Sequence, residues 1–471
     1  MFLLSPRFAV LTAILLGGCA LAPLEPAHPR LDLPLPTAWS TGLDPLKPAS
    51  TAELAQWWRQ LGDAQLDRLI EEALRGSLDL RVAQARLRQA RASRAQAVSG
   101  WFPSVSLSGG VSRSQREVSS TNYDVGFDAA WEIDIFGGKQ RGIEAATAEL
   151  AATEANWQQA RVSLIAEVAQ NYIEVRAYQR RAALTRDNLA NQSETLQITT
   201  WRYQAGLATA SEVERARASR EQTRASLPDL EVGLTEAENR LAVLLGRPPG
   251  GMHAALAQQA GVLPALPDAI ASGIPADVLR QRPDLIAAEA TLAAETARLG
   301  QKLAQRFPSL NLGASFGWQA YQLADLGGTL TRAVSGVLAA TLFDGGKLRS
   351  AVEIQTAVQE QALLAYQRSV LLALEEVENA LFAYAAGRER VAARRAAAAA
   401  AGTAARLSSQ LYQAGLTDFQ TILETERTRL SAEDALASAE AGLCSSLIKL
   451  YKALGGGWVA VPAPTRTEGL T

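Results

Sequence analysis

Apolar and polar positions alternate with period two in two regions of the chain. Val105, Leu107, Gly109 and Val111 are interleaved with Ser106, Ser108, Gly110 and Ser112. After a polar stretch the alternation resumes through Tyr123, Val125, Phe127, Ala129, Trp131, Ile133 and Ile135, with Asp124, Gly126, Asp128, Ala130, Glu132 and Asp134 on the other face. Farther on, Leu310, Leu312, Ala314, Phe316 and Trp318 alternate with Asn311, Gly313, Ser315, Gly317 and Gln319. Period two sustained over such lengths predicts strands with one apolar face. The expected hairpins span 104–136 and 309–343; a fourth strand falls near Ala333 to Phe343, with its faces left open. Phe102-Pro103 and Phe307-Pro308 precede the hairpins. Proline lacks a donor and pushes the preceding residue toward extended geometry, so a helix ends there.

Elsewhere the period is seven. No proline interrupts Gly137 to Gln204 or Gly345 to Gln413, and at ~1.5 Å per residue each stretch makes a helix about 100 Å long. Ile143, Leu150, Trp157 and Leu164 recur in the first, and Leu363, Val370, Val377, Tyr384 and Val391 in the second. Return helices carry Val213, Leu227, Leu234 and Leu241, then Leu423, Leu430, Ala437, Cys444 and Tyr451. Sustained heptads predict antiparallel coiled-coil packing. Pro228 is expected to kink the first return helix.

The pattern is written twice. Tyr203-Gln204-Ala205-Gly206-Leu207 recurs as Tyr412-Gln413-Ala414-Gly415-Leu416, and Leu241 to Gly246 answers Leu450 to Gly455, both at an offset of 209. Asp79-Leu80 and Asp284-Leu285 open Ala-rich helical runs in matching contexts. A duplicated unit follows, too long for a solenoid repeat. The first repeat covers 63–246 (helix, β-hairpin 104–136, helical hairpin 138–246) and the second 277–455 (helix, β-hairpin 309–343, helical hairpin 345–454), joined by a linker at 247–276 and followed by a tail at 456–471. Gly206 and Gly415 suit left-handed positions after a helix. Thr209 with Glu212, and Thr417 or Asp418, suit the restart of the next.

Composition removes several functions. The chain has 471 residues and a net charge of −2, which offers no polyanion-binding surface, so no nucleic acid is expected. His28 and His253 lack Cys or carboxylate at ligand spacing, and neither Gly-Gly-Lys (137–139, 345–347) carries the leading glycine of a phosphate loop. No catalytic motif and no cofactor are expected.

Arg7, the apolar run Phe8 to Leu16 and then Leu16-Gly17-Gly18-Cys19 form a signal peptide over 1–18 that is too short for a membrane span. The small residues before Cys19 resemble a lipobox, which makes Cys19 the expected lipidation site and the covalent lipid its only attached group. Ala20 in place of Asp permits outer-membrane sorting in the lipoprotein pattern. Residues 19–62 are a Pro-rich segment leading from that anchor, with Pro23 to Pro48 as an extended strap.

Four strands with one apolar face ask for lipid, where every edge must be paired, and four cannot close a barrel. Several copies must then pool their hairpins, with their long helices forming a second tube. The competing reading is a soluble sandwich capping a coiled coil.

The lipobox, the Phe-Pro and Phe-Gly-Gly or Phe-Asp-Gly-Gly boundaries, Arg282-Pro283-Asp284-Leu285, the two Tyr-Gln-Ala-Gly-Leu turns and Leu244-Leu245-Gly246 before Pro248-Pro249 together resemble the outer-membrane factor family. These are the TolC-like channels, and the likeness is to the lipoprotein branch of OprM and NodT type, over nearly the whole mature chain. The resemblance implies a mainly α fold with a membrane β part: a homotrimer with a shared 12-stranded β-barrel in the outer membrane and a periplasmic α-barrel. It implies a periplasmic adaptor (membrane fusion) protein and an inner-membrane pump as partners, most often of the resistance-nodulation-division type. It places adaptor docking at Gly206, Leu207, Gly415 and Leu416, and points to Asp418 and Phe419 as candidate gate residues. Asp418 equally suits a helix N-cap. A type I protein-secretion channel shares this architecture; a coiled-coil envelope lipoprotein without a pore is the alternative of another class, and an enzyme the least expected.

Overall fold

The computed structural model describes residues 33, 36, 38–40, 46–47, 51–115, 119–267, 270–271 and 281–459. The signal peptide, Cys19, most of the Pro-rich strap and the start of the second repeat lie outside the described residues. The helices are α1 (Thr51–Ala55), α2 (Ala64–Gly76), α3 (Leu78–Ser99), α4 (Gly138–Gln204), α5 (Ala210–Leu244), α6 (His253–Leu256), α7 (Pro283–Ala304), α8 (Lys347–Gln413) and α9 (Phe419–Ala453). The strands are β1 (Leu46–Lys47), β2 (Ser104–Gln115), β3 (Ser119–Ile133), β4 (Ile270–Ala271), β5 (Ser309–Ala320) and β6 (Leu330–Ala339). The chain divides into two compact units.

One unit holds residues 85–155 and 286–369. Its centre is an antiparallel sheet in the order β2-β3-β5-β6, so the two repeats each give a hairpin and meet at β3 and β5. Strand β3 ends at Ile133, two residues before the alternation does. The cause is Asp134, whose carboxylate accepts the Gln140 N–H at 2.8 Å and so begins α4. Strand β6 runs from Leu330 to Ala339, earlier than the expected Ala333 to Phe343, because Asp344 accepts the Gly346 and Leu348 N–H groups (2.8 Å each) and starts α8.

The other unit holds residues 34–84, 156–285 and 370–471. Val370, Val377, Tyr384, Val391, Ala398, Ala405 and Tyr412, spaced by seven, are all buried, which carries the α8 heptads three repeats beyond Val391 to the helix end. Gly387 lies in this stripe because an added Cβ would meet Leu443 Cδ1 at 3.0 Å. Trp57, Leu66 and Ile70 pack into the same core, with Trp57 stacked on Tyr451 at 5.2 Å. Each fully buried side chain of this size contributes about 1.5–3 kcal/mol. Cys444 is buried here and its thiol is pushed up to about 12 by desolvation, which leaves it an inert apolar group.

Two buried arginines tie loops to this core. Arg176 donates to Tyr172 Oη (3.0 Å), Gln65 Oε1 (2.6 Å) and the Leu256 and Gln258 carbonyls, while Tyr172 Oη donates to Asp63 at 2.6 Å. Asp63 is also the N-cap of α2. Arg282 pairs with Asp284 and Glu376 (2.6 and 2.8 Å) and donates to the Ala453 carbonyl at 2.8 Å. The Arg-Pro-Asp-Leu sequence is thus a clasp between the start of α7 and the end of α9.

All four long helices that close a hairpin end alike. Gly206, Gly246, Gly415 and Gly455 have φ between 73° and 75°. Leu207 N–H reaches the Arg202 carbonyl at 2.8 Å, and Leu416 N–H reaches that of Leu411 at 2.8 Å. Arg247 and Gly456 repeat the contact at the other ends. These paired reverse bonds satisfy carbonyls that the helix leaves open. Helix α5 continues unbroken through Pro228.

Candidate functional site

The sheet separates its side chains by chemistry. Directly opposed residues share a face, so the register fixes all four strands at once. Val105, Leu107, Val111, Tyr123, Val125, Phe127, Trp131 and Ile133 fall together with Trp318, Phe316, Leu312 and Leu310. On β6 the same face receives Leu330, Val334 and Leu338, which settles the faces that alternation alone left open. Arg332 is the exception, and its guanidinium lies 5.9 Å from the centre of the Phe316 ring. Opposite lie Ser104, Ser106, Ser108, Asp124, Asp128, Glu132, Asn311, Ser315 and Gln319. Asp128 accepts from Ser108 Oγ at 2.8 Å, and Lys139 approaches Glu132 at 3.5 Å.

On the apolar face Val105, Leu107, Val111, Phe127, Phe316, Val334 and Leu338 are exposed among the described residues. Among the described residues no strand lies beside the outer edges of β2 and β6. An open edge and an open apolar face of this size do not persist in water. Among the described residues no helix is long and apolar enough to cross a membrane.

The helical turns form the second feature. Leu207 (70 % exposed) and Leu416 (74 %) stand out from equivalent turns, just after left-handed Gly206 and Gly415. Thr209 restarts α5 through a capping box with Glu212. Asp418 is the N-cap of α9: its carboxylate accepts from Thr421 N–H and Oγ1, at 2.8 and 2.7 Å, and these bonds hold its pKa below the usual range. Phe419 goes the other way. Its ring is buried among Ala216, Ile422 and Tyr412, edge-on to the tyrosine at 6.0 Å. The two gate candidates therefore part, one exposed and one inside the hairpin packing.

A third feature escaped the apolar heptads because it uses their spacing with polar residues. Arg181, Thr185, Asn188, Gln192, Thr195 and Thr199 follow one another on α4 at steps of four and three. Thr185, Asn188, Gln192 and Thr199 are buried. Facing them on α9, Glu426 accepts from Thr195 at 2.9 Å, Arg429 meets Asn188 at 3.3 Å, and Asp434 takes Arg181 at 2.6 and 3.2 Å. Arg202 donates to the Tyr412 carbonyl at 2.6 Å and stacks on its ring at 4.4 Å. The seam is imperfectly satisfied: Asn188 Nδ2, Gln192 Oε1, Glu426 Oε2 and Arg429 Nε are buried without partners.

Glu426 carries the cost most plainly. Burial raises its carboxyl above the ordinary 4.5, against the smaller lowering by the Thr195 hydrogen bond and Arg429. A carboxyl raised in the folded state binds its proton more tightly folded than unfolded, so its penalty is absent below the unfolded value and grows as pH rises through the folded one. Glu426→Gln keeps the acceptor for Thr195 and should raise stability by about 1 kcal/mol at neutral pH. Denaturant melts at neutral pH and near about pH 4 check this, since the gain should fade at the lower pH.

Comparison with known proteins matches both repeats. The family model described as "Outer membrane efflux protein" covers residues 69–247 and 274–456, one span per repeat. The pyoverdine export outer membrane protein OpmQ of Pseudomonas putida is 32 % identical over 95 % of this chain and 97 % of its own length. Nodulation protein T of Rhizobium leguminosarum bv. viciae is 30 % identical over 98 % of this chain and 96 % of its own. Among solved structures, the outer-membrane channel OprN superposes with a TM-score of 0.85 at 36 % identity, covering 92 % of this chain and all of that one. The open state of the MtrE outer membrane channel of Neisseria gonorrhoeae gives 0.80 at 27 % identity, covering 92 % and 97 %.

Proposed function

We infer, because the chain belongs to the outer membrane efflux protein family, that it is the exit duct of a tripartite pump and conducts substrates without chemistry of its own. The observation that carries this reading is the sheet with one apolar face, one carboxylate-bearing face and two open edges. In lipid those edges must pair, and three copies would join their strands into a 12-stranded barrel with Asp124, Asp128 and Glu132 toward water. Cys19 would carry the acyl chains, more than one of which is needed for lasting attachment. The exposed Leu207 and Leu416 beside Gly206 and Gly415 would meet hairpins of a periplasmic adaptor, which links the duct to an inner-membrane pump of the resistance-nodulation-division type. A gate at Asp418 would have to break its cap on α9, and one at Phe419 would have to unpack its ring from Tyr412.

The relative named for pyoverdine export favours small molecules over proteins as cargo. Removal of the gene should raise intracellular accumulation of small-molecule cargo, and a plasmid copy should restore export only with the cognate adaptor and proton-driven pump present. Restoration that instead requires an ATP-driven secretion transporter, with loss of a secreted protein, would mark a type I channel.

A further inference from the structure

We propose that Arg113 and Arg332 bind the phosphate of an outer-leaflet lipid, whose acyl chains lie along the apolar face of the sheet. This rests on the shared-barrel reading above and adds a ligand class to it, a lipid whose headgroup carries a phosphate monoester. Its basis is the division of charge between the two faces of the sheet.

Strands β2, β3, β5 and β6 hold Asp124, Asp128 and Glu132 on the polar face, Arg113 and Arg332 on the apolar face, and no other charged residue. An arginine one position along either strand would point to the polar face, toward water and the carboxylates. Both instead stand on the face that lipid covers. Arg332 lies over the Phe316 ring at 5.9 Å, and Arg113 Nε donates to Ser119 Oγ at 3.2 Å. Among the described residues neither guanidinium meets a carboxylate. A cation on a lipid-facing strand is costly at depth and tolerated near the interface, where an anion can pair with it.

Depth is the second, independent sign. Arg113 stands two residues before the end of β2 at Gln115, and Arg332 two residues after the start of β6 at Leu330. Each is therefore about 7 Å along its strand from the end. Helices α3, α4, α7 and α8 join the sheet at its opposite end, so this rim is turned away from the periplasm. An arginine stem can run that distance over apolar surface and set its guanidinium among the headgroups. Aromatic rings mark the same level: Trp318 lies opposite Leu330 and edge-on to Phe316 at 5.6 Å, and Tyr321 just past β5 is 76 % exposed. At the other end the apolar face presents Val105, Ile133, Leu310 and Leu338 and no charged residue, which assigns the site to one leaflet. Because β2 and β6 are the edge strands, a shared barrel sets Arg332 of one copy near Arg113 of the partner subunit at each junction. Two guanidinium forks suit phosphate oxygens, and their two charges match a monoester, at about −1.5 to −2 near neutral pH, better than a singly charged diester.

The test is lipid retention by the full-length protein in detergent, read by native mass spectrometry. The probes are bisphosphoryl lipid A, the same glycolipid with its phosphates removed, phosphatidylglycerol and inorganic phosphate. The unaltered protein should keep bisphosphoryl lipid A, one per subunit, about ten-fold more than the phosphate-free glycolipid or phosphatidylglycerol. Arg113→Gln combined with Arg332→Gln should lose that preference while still forming trimers and conducting as before. Equal retention of the phosphate-free lipid by the unaltered protein, a comparison that needs no variant, would overturn the proposal. So would undiminished retention by the double variant, or displacement of the lipid by inorganic phosphate, which would mark a site for the free anion. Each of these would leave the shared barrel standing. A protein that stays monomeric with every lipid would overturn the barrel reading as well.

Discussion

Phe127→Arg should cost about 2–4 kcal/mol in the bilayer and deplete the outer membrane of assembled channel, because its ring belongs to the apolar sheet face and is exposed there. Phe127 lies opposite both Leu107 and Phe316, so the charge would sit in the middle of the apolar band rather than at its rim. The neighbouring change, Asp128→Arg, points the opposite way, among Ser106 and Ser315. It should leave assembly intact and shift permeation from cations toward anions. Trimer yield on semi-native gels and reversal potentials in a salt gradient read the two effects. Equal tolerance at both positions would mean that the faces have been assigned wrongly.

Export should be lost when the two turn leucines are made cationic together, as Leu207→Arg with Leu416→Arg. Both side chains are largely exposed and belong to no buried cluster, so stability should change by no more than about 0.5 kcal/mol. The glycines beside them are a harsher test of the same surface. An added Cβ at Gly206 or Gly415 meets nothing within 4 Å, but φ of +73° and +75° imposes backbone strain of about 1 kcal/mol. Gly206→Trp and Gly415→Trp should still insert and still fail to export. Cross-linking to the adaptor, measured with cargo accumulation, separates lost docking from lost folding. Normal export by inserted variants at both turns would leave these residues as helix terminators only.

The features that were legible from the sequence are those with strict periods. Alternation gave the faces of β2, β3 and β5 because a strand with lipid on one side and water on the other has to alternate. The α8 heptad was readable as far as Val391 because its members are large, while Ala398 and Ala405 continue it with side chains too small to stand out. Strand ends were misjudged at Ile135 and Phe343 because Asp134 and Asp344 act as helix caps, and a cap outweighs the last alternating residues. The polar seam of α4 was invisible to a search for apolar repeats, although Thr185, Asn188, Gln192 and Thr199 keep the same spacing. Phe419 follows the exposed turn yet is buried, because Tyr412 and Ile422 complete a small core around it, a local packing that no period in the sequence announces.

If the serine and carboxylate face lines water and the opposite face lies against lipid, a cationic thiol reagent should act on the two faces differently. In a planar bilayer, current through purified Asp128→Cys channels should fall in discrete steps, one for each modified subunit, while Phe127→Cys channels do not respond. Unchanged current through Asp128→Cys channels, with Phe127→Cys channels blocked by the same reagent, would reverse the assignment of the faces.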